Sequence, residues 1–181
     1  GTGKWLGPRP VTRVPFVSSF TTEGAVFGDM DASGNADMLV LGPNGLNGYY
    51  ENNGDGNFGP QKTISTSADG PFCVYGVDLD GDNDPDVLSA SIHDDKIAWY
   101  ENDGNEHFTS HIISTNAQAA SSVYALDIDN DGDIDVLSAS LGDNKVCMYE
   151  NDGDENFSPF IIRNDAASVK DVYAADMDGD G

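Results

Sequence analysis

Asp127-Ile128-Asp129-Asn130-Asp131-Gly132-Asp133-Ile134-Asp135 places an acidic side chain at every second position of a nine-residue stretch. Five carboxylates this close repel one another, so the stretch resists compaction unless a cation neutralises it. Calcium suits it, because calcium accepts six to eight oxygens in a tolerant geometry. Positions 1, 3, 5 and 9 offer side chains, and position 7 offers its backbone carbonyl. Gly132 at position 6 allows the left-handed turn that folds the loop round an ion.

Three further copies follow the same plan. Residues 78–86 read D-L-D-G-D-N-D-P-D, residues 29–37 read D-M-D-A-S-G-N-A-D, and residues 176–181 open another copy with D-M-D-G-D-G. Position 3 falls at Asp31, Asp80, Asp129 and Asp178, 49 residues apart each time. A fixed period of this size marks a repeat architecture, in which one unit cannot bury its apolar face alone.

The third repeat shows the unit most clearly. An apolar run at 122–127 leads into the acidic loop, and residues 136–140 follow it. After the turn Gly142-Asp143-Asn144 comes 145–150, then the turn at 151–154, then 157–162. β-branched and aromatic residues fill these runs, and turn-forming residues separate them. The second repeat matches at 73–77, 87–91, 96–100 and 108–113; the first is looser, at 26–27, 38–41, 49–50 and a weaker 61–64. Four short antiparallel strands per unit describe a β-propeller blade. The segment 116–120 between blades reads as a loop. Ser89, Ala90 and Ser91, with Ser138, Ala139 and Ser140, are small enough for sheets to approach closely. A solenoid of stacked sheets is the competing architecture, and regular hairpins argue against it.

The blocks V-Y-A-L-D-I-D-N-D-G-D-I-D-V-L-S-A-S and K-I-A-W-Y-E-N-D-G-N resemble FG-GAP-like repeats, also called VCBS repeats. Related repeats form the calcium-binding propellers of integrin α-subunits and of a fungal lectin. The resemblance implies an all-β partial ring of about three to four blades. Residues 1–20 would end a preceding blade, 21–68, 69–117 and 118–166 would be whole blades, and 167–181 would start a fourth. It also implies one calcium ion in each loop between the first two strands of a blade. The ligands would be Asp78, Asp80, Asp82 and Asp86 with the Asp84 carbonyl, and Asp127, Asp129, Asp131 and Asp135 with the Asp133 carbonyl. The first loop offers Asp29, Asp31, Ser33, Asn35 and Asp37, with fewer charges and hence weaker binding. Asn83 replaces the turn glycine of the second loop, and Asn tolerates left-handed backbone better than most residues. The fourth loop offers Asp176, Asp178 and Asp180 and lacks position 9. An EF-hand needs a bidentate Glu at position 12 and flanking helices. Position 12 is Val40, Ser89 or Ser138, so that reading fails.

Thirty-two acidic against eight basic residues give a net charge of −24, which excludes nucleic acid and anionic membrane surfaces as partners. No run of 18 apolar residues exists, so no membrane-inserted helix is expected. Cys73 and Cys147 occupy non-equivalent repeat positions and read as free, small apolar side chains. No secretory leader is visible, and the start at Gly1 suggests a processed or excised segment. Weak oxygen cages fill at millimolar free calcium, which points outside the cell.

No catalytic constellation is legible. His93, His107 and His111 read as surface residues, and nucleophile and zinc motifs are absent. Glu51, Glu101 and Glu150 recur beside a hairpin turn and read as structural. Tyr50, Trp99, Tyr100 and Tyr149 read as core between sheets before sugar-stacking platforms. The expected function is an extracellular, calcium-stabilised binding module for a carbohydrate or a protein ligand. Its other partners would be the remaining blades of the same polypeptide, or another copy. The alternatives are the non-catalytic part of a polysaccharide-degrading enzyme and a structural repeat of a surface or filament assembly.

Overall fold

Among the described residues, the apolar runs between acidic loops fold as strands as far as Arg163, whereas 171–175 forms none. A computed structural model describes residues 25–31, 33–42 and 47–175. Twelve strands lie among them: β1 (Ala25–Gly28), β2 (Asp37–Leu41), β3 (Asn47–Asn52), β4 (Phe58–Ser65), β5 (Pro71–Val77), β6 (Asp86–Ser91), β7 (Lys96–Asn102), β8 (Phe108–Ser114), β9 (Ala120–Leu126), β10 (Asp135–Ser140), β11 (Lys145–Asn151) and β12 (Phe157–Arg163). They form three four-stranded antiparallel meanders, β1 to β4, β5 to β8 and β9 to β12. These are the first, second and third blades. The strands expected in residues 1–20 and the acidic run 176–181 lie outside the described residues.

Register repeats with the sequence. Leu39 pairs with Tyr49, Leu88 with Trp99 and Leu137 with Met148. The pairing of third and fourth strands shifts at the same place in every blade, between Asn47 and Gly48, Ile97 and Ala98, and Val146 and Cys147. The weak-looking fourth run of the first repeat forms the eight-residue β4, with Pro60 tolerated because β4 is the last strand of its sheet. Segment 116–119 is loop and turn, as expected, and Ala120 already opens β9.

The blades pack face to face. β5 lies against β1 and β2, and β9 against β5 and β6. Two cores result. Met30, Leu39, Tyr49 and Ile64 of the first blade meet Val74, Val87, Ala98 and Tyr100 of the second. Leu79, Leu88, Ile97 and Trp99 of the second meet Val123, Val136, Cys147 and Tyr149 of the third. The identical β6 and β10, Asp-Val-Leu-Ser-Ala-Ser, are buried at every position. Strands covered on both faces lose the usual alternation of polar and apolar residues, and the small Ser-Ala-Ser runs permit that cover. Tyr75 of β5, Tyr124 of β9 and Tyr173 after β12 contact one another in series as tilted ring pairs, with centroids 4.9 and 4.8 Å apart. Trp99, Tyr100 and Tyr149 are buried between blades, whereas Tyr50 is half-buried. Cys73 and Cys147 are free. No helix among the described residues is long and apolar enough to cross a membrane.

Candidate metal centre

Each acidic loop joins the first and second strands of its blade. Its last aspartate opens the second strand and is buried: Asp37 and Asp86 are 0% exposed and Asp135 is 1%. Both of its carboxylate oxygens accept backbone N–H groups. Asp37 takes Met30 at 2.8 Å and Asn52 at 2.7 Å. Asp86 takes Leu79 at 2.9 Å and Asn102 at 2.8 Å, and Asp135 takes Ile128 at 3.0 Å and Asn151 at 2.9 Å. The carboxylate thus ties its own loop to the third strand. Burial outweighs these donors and pushes Asp86 up to about 7; it raises Asp37 and Asp135 as well.

Position 1 closes the loop on itself. Asp29 accepts the N–H of Ser33 at 3.0 Å and of Gly34 at 2.7 Å. Asp78 accepts Gly81 at 3.0 Å and Asn83 at 3.1 Å, and Asp127 accepts Gly132 at 3.1 Å. Position 3 accepts from position 5: Asp31 from Ser33 at 3.0 Å, Asp80 from Asp82 at 3.2 Å, Asp129 from Asp131 at 3.3 Å. Position 5 accepts in turn from position 7: Ser33 from Asn35 at 3.3 Å, Asp82 from Asp84 at 2.8 Å, Asp131 from Asp133 at 3.0 Å. The left-handed turn stands at position 6 in all three, with φ of 84° at Gly34, 75° at Asn83 and 104° at Gly132. Burial raises the Asp80 carboxyl. At Asp31 burial also pulls upward, but hydrogen bonds from Ser33 outweigh it and leave the group lowered.

The structure brings positions 1, 3 and 9 together. Asp29, Asp31 and Asp37, then Asp78, Asp80 and Asp86, then Asp127, Asp129 and Asp135, each place one oxygen per residue within 4.8 Å of the others. A cation about 2.4 Å from each oxygen spans oxygens up to about 4.8 Å apart, which is the calcium range. Asp127 Oδ1 is buried with no hydrogen-bond donor, an orphaned anion that a cation would satisfy. The donor set is all hard oxygen, so the residues fit calcium. Asp82 and Asp131 are not members of these triads. Position 7 turns its side chain aside: a Cβ on Gly153 would meet Asp133 Oδ2 at 2.7 Å, and one on Gly104 would meet Asp84 Cγ at 2.8 Å. Asn35 packs on Gly54 in the same way. Asp176, Asp178 and Asp180 lie outside the described residues.

Sequence reading missed Asn52, Asn102 and Asn151. Each donates from Nδ2 to the carbonyl before the buried aspartate: Ala36 at 3.0 Å, Pro85 at 3.1 Å and Ile134 at 3.3 Å. Asn102 also reaches across the seam to the Met30 carbonyl at 3.1 Å. The recurring Tyr-Glu-Asn was the available signal. A cleft of about 70 Å³, room for roughly two waters, lies between the second loop and the third blade, lined by Asp78, Asp80, Asp133, Asn151 and Glu155.

The histidines stay apart. His93 pairs with Asp69 at 3.3 Å, His107 with Asp103 at 3.2 Å, and His111 with Glu101 at 2.8 Å. Glu51 holds Lys62 at 2.9 Å.

A family model described as FG-GAP-like repeat matches residues 29–89, 78–138 and 127–181. No protein among the curated sequences matches the chain. Among solved structures the chain is similar to a lectin of Agrocybe aegerita, described as specifically recognising non-reducing terminal N-acetylglucosamine. The TM-score is 0.57 at 21% identity, covering 80% of this chain and 39% of the lectin. The chain therefore spans about two fifths of the lectin's length. Three tandem matches, in register with three blades that each carry the acidic loop between their first and second strands, place this chain in the FG-GAP-like repeat family.

Proposed function

We propose that the chain is part of an extracellular carbohydrate-binding β-propeller whose blades are braced by calcium. The observation that carries the sugar reading is the fit of the three blades to a lectin scaffold over 80% of the chain. The convergent carboxylate oxygens of each loop carry the calcium reading, with Asp127 Oδ1 as the group most in need of a cation.

In this reading the acidic triads of positions 1, 3 and 9 hold the ion, and positions 5 and 7 complete the shell. Bound calcium supplies the positive charge that lets these carboxylates sit together. Asp37, Asp86 and Asp135 pass that order to the third strands through Asn52, Asn102 and Asn151. The rigid sheets then hold the loops at the blade ends in fixed positions, as recognition loops on a scaffold require. The cleft of about 70 Å³ beside the second loop is too small for a sugar ring, so the sugar would rest on the loops rather than in that cleft. A binding role rather than a catalytic one is supported by the three histidines, each held on a separate acidic partner. Millimolar calcium outside cells suits sites of this kind.

A glycan array probed in millimolar calcium and again after chelation tests the proposal. Binding to glycans ending in N-acetylglucosamine, lost on chelation, is expected. An array with no bound glycan at saturating calcium would remove the sugar reading, and binding indifferent to chelator would remove the bracing role of calcium.

A further inference from the structure

The hairpins between third and fourth strands differ at one position. In the first blade it is Gly56, with φ of 88°. In the second and third it is Glu106 and Glu155, with φ of 66° and 53°. That left-handed conformation suits glycine and strains a residue with a Cβ. Two blades nevertheless keep a glutamate there, and both glutamates cross to the preceding blade.

At the first seam the crossing is closed by a protein cation. Glu106 Oε2 lies 2.6 Å from Lys62 Nζ, and Lys62 also holds Glu51 at 2.9 Å. Asp31 of the first acidic loop, Glu51 and Glu106 bring carboxylate oxygens within 4.8 Å of one another. At the second seam the strand position of Lys62 belongs to His111: Lys62 pairs with Tyr49, and His111 with Trp99. His111 is taken up by Glu101 and by stacking on Trp99, ring centroids 4.6 Å apart. Glu155 instead lines the cleft with Asp78, Asp80 and Gly81 of the second loop. Burial, then the negative charges of Asp80, Asp154 and Glu101, raise its carboxyl.

We propose that Glu155 is a cross-blade ligand, direct or through water, of the divalent cation held by Asp78, Asp80 and Asp86, so that loading this loop fastens the third blade to the second. At the first seam Lys62 does this work permanently, and the cation of the first loop is not needed for it. The inference rests on the reading of the loops as calcium sites. It adds a ligand from a neighbouring repeat, which makes occupancy of one loop a property of two blades.

Calcium titration calorimetry and thermal unfolding of the full chain test it. Glu155→Gly should raise the metal-free melting temperature by about 2 °C, because the strain is relieved. The same variant should weaken calcium binding at one site by about three- to tenfold, because a charged ligand is lost. Glu155→Gln should weaken calcium binding similarly without the gain in melting temperature. Glu106→Gly should change calcium affinity by less than about twofold. A purely structural role cannot give opposite signs for stability and affinity in one variant. Wild-type calcium affinity in both Glu155 variants would overturn the inference alone, whereas a wild-type chain that takes up no calcium would overturn the reading of the loops and this inference with it.

Discussion

Asp86 shows how one side chain can serve both metal and fold. Its carboxylate is 0% exposed, and two backbone N–H groups hold it between the loop and β7. Burial raises its carboxyl from 3.8 to about 7. A raised carboxyl binds its proton more tightly in the folded state. Its stabilising share is therefore full below about pH 4 and is lost as pH rises to about 7. Metal-free protein should lose stability across that window, read as a falling urea midpoint. Added calcium favours the ionised form and should flatten or reverse the slope. Identical slopes with and without calcium would show that the buried carboxylate does not face the ion.

At the scale of the element, each acidic loop is interlocked with the hairpin beside it. Asp84 turns its side chain onto Gly104, whose φ is 70°, and Asn102 donates to the Pro85 and Met30 carbonyls. A Cβ at Gly104 would meet the Asp84 carboxylate and sit in a left-handed conformation. Gly104→Ala should cost about 1–3 kcal/mol in chemical denaturation. A loss below about 0.5 kcal/mol would mean that loop and hairpin move independently. The strands themselves were readable, because apolar runs of five to seven residues alternate with Gly-, Asn- and Asp-rich turns at constant spacing. The cross-seam ion pair of β4 was not: Gln61 and Lys62 look merely polar in isolation, yet Lys62 spans Glu51 and Glu106 across a seam.

At the scale of the whole molecule, stability resides in the seams, since each blade buries its faces only against a neighbour. Leu88 is 0% exposed in the core shared by the second and third blades. Leu88→Ala should destabilise by about 2–5 kcal/mol, read by denaturant unfolding. A cost under about 1 kcal/mol would show that the blades are joined mainly by their loops. The outer face of the third blade carries the equivalent side chains uncovered. Ile113 packs against the seam core, whereas its counterpart Ile162 is 53% exposed and Phe160 is 60%.

The sequence by itself determined the period, the strand order within a blade, the acidic loop with its left-handed sixth position, and the family. These follow from local chemistry repeated at constant spacing, so a linear reading suffices. Even Asn83 in place of glycine was legible, because its side chain tolerates the turn that φ of 75° records. Only the tertiary structure decided which carboxylates converge most closely, since Asp78, Asp80 and Asp86 form the group whose oxygens lie within 4.8 Å of one another. Only the tertiary structure, too, brought Asn102 to Met30, Glu106 to Lys62, and Glu155 to the second loop's cleft. Those contacts join residues of different repeats, and their distances depend on how one twisted sheet lies on the next, which no spacing along the chain encodes.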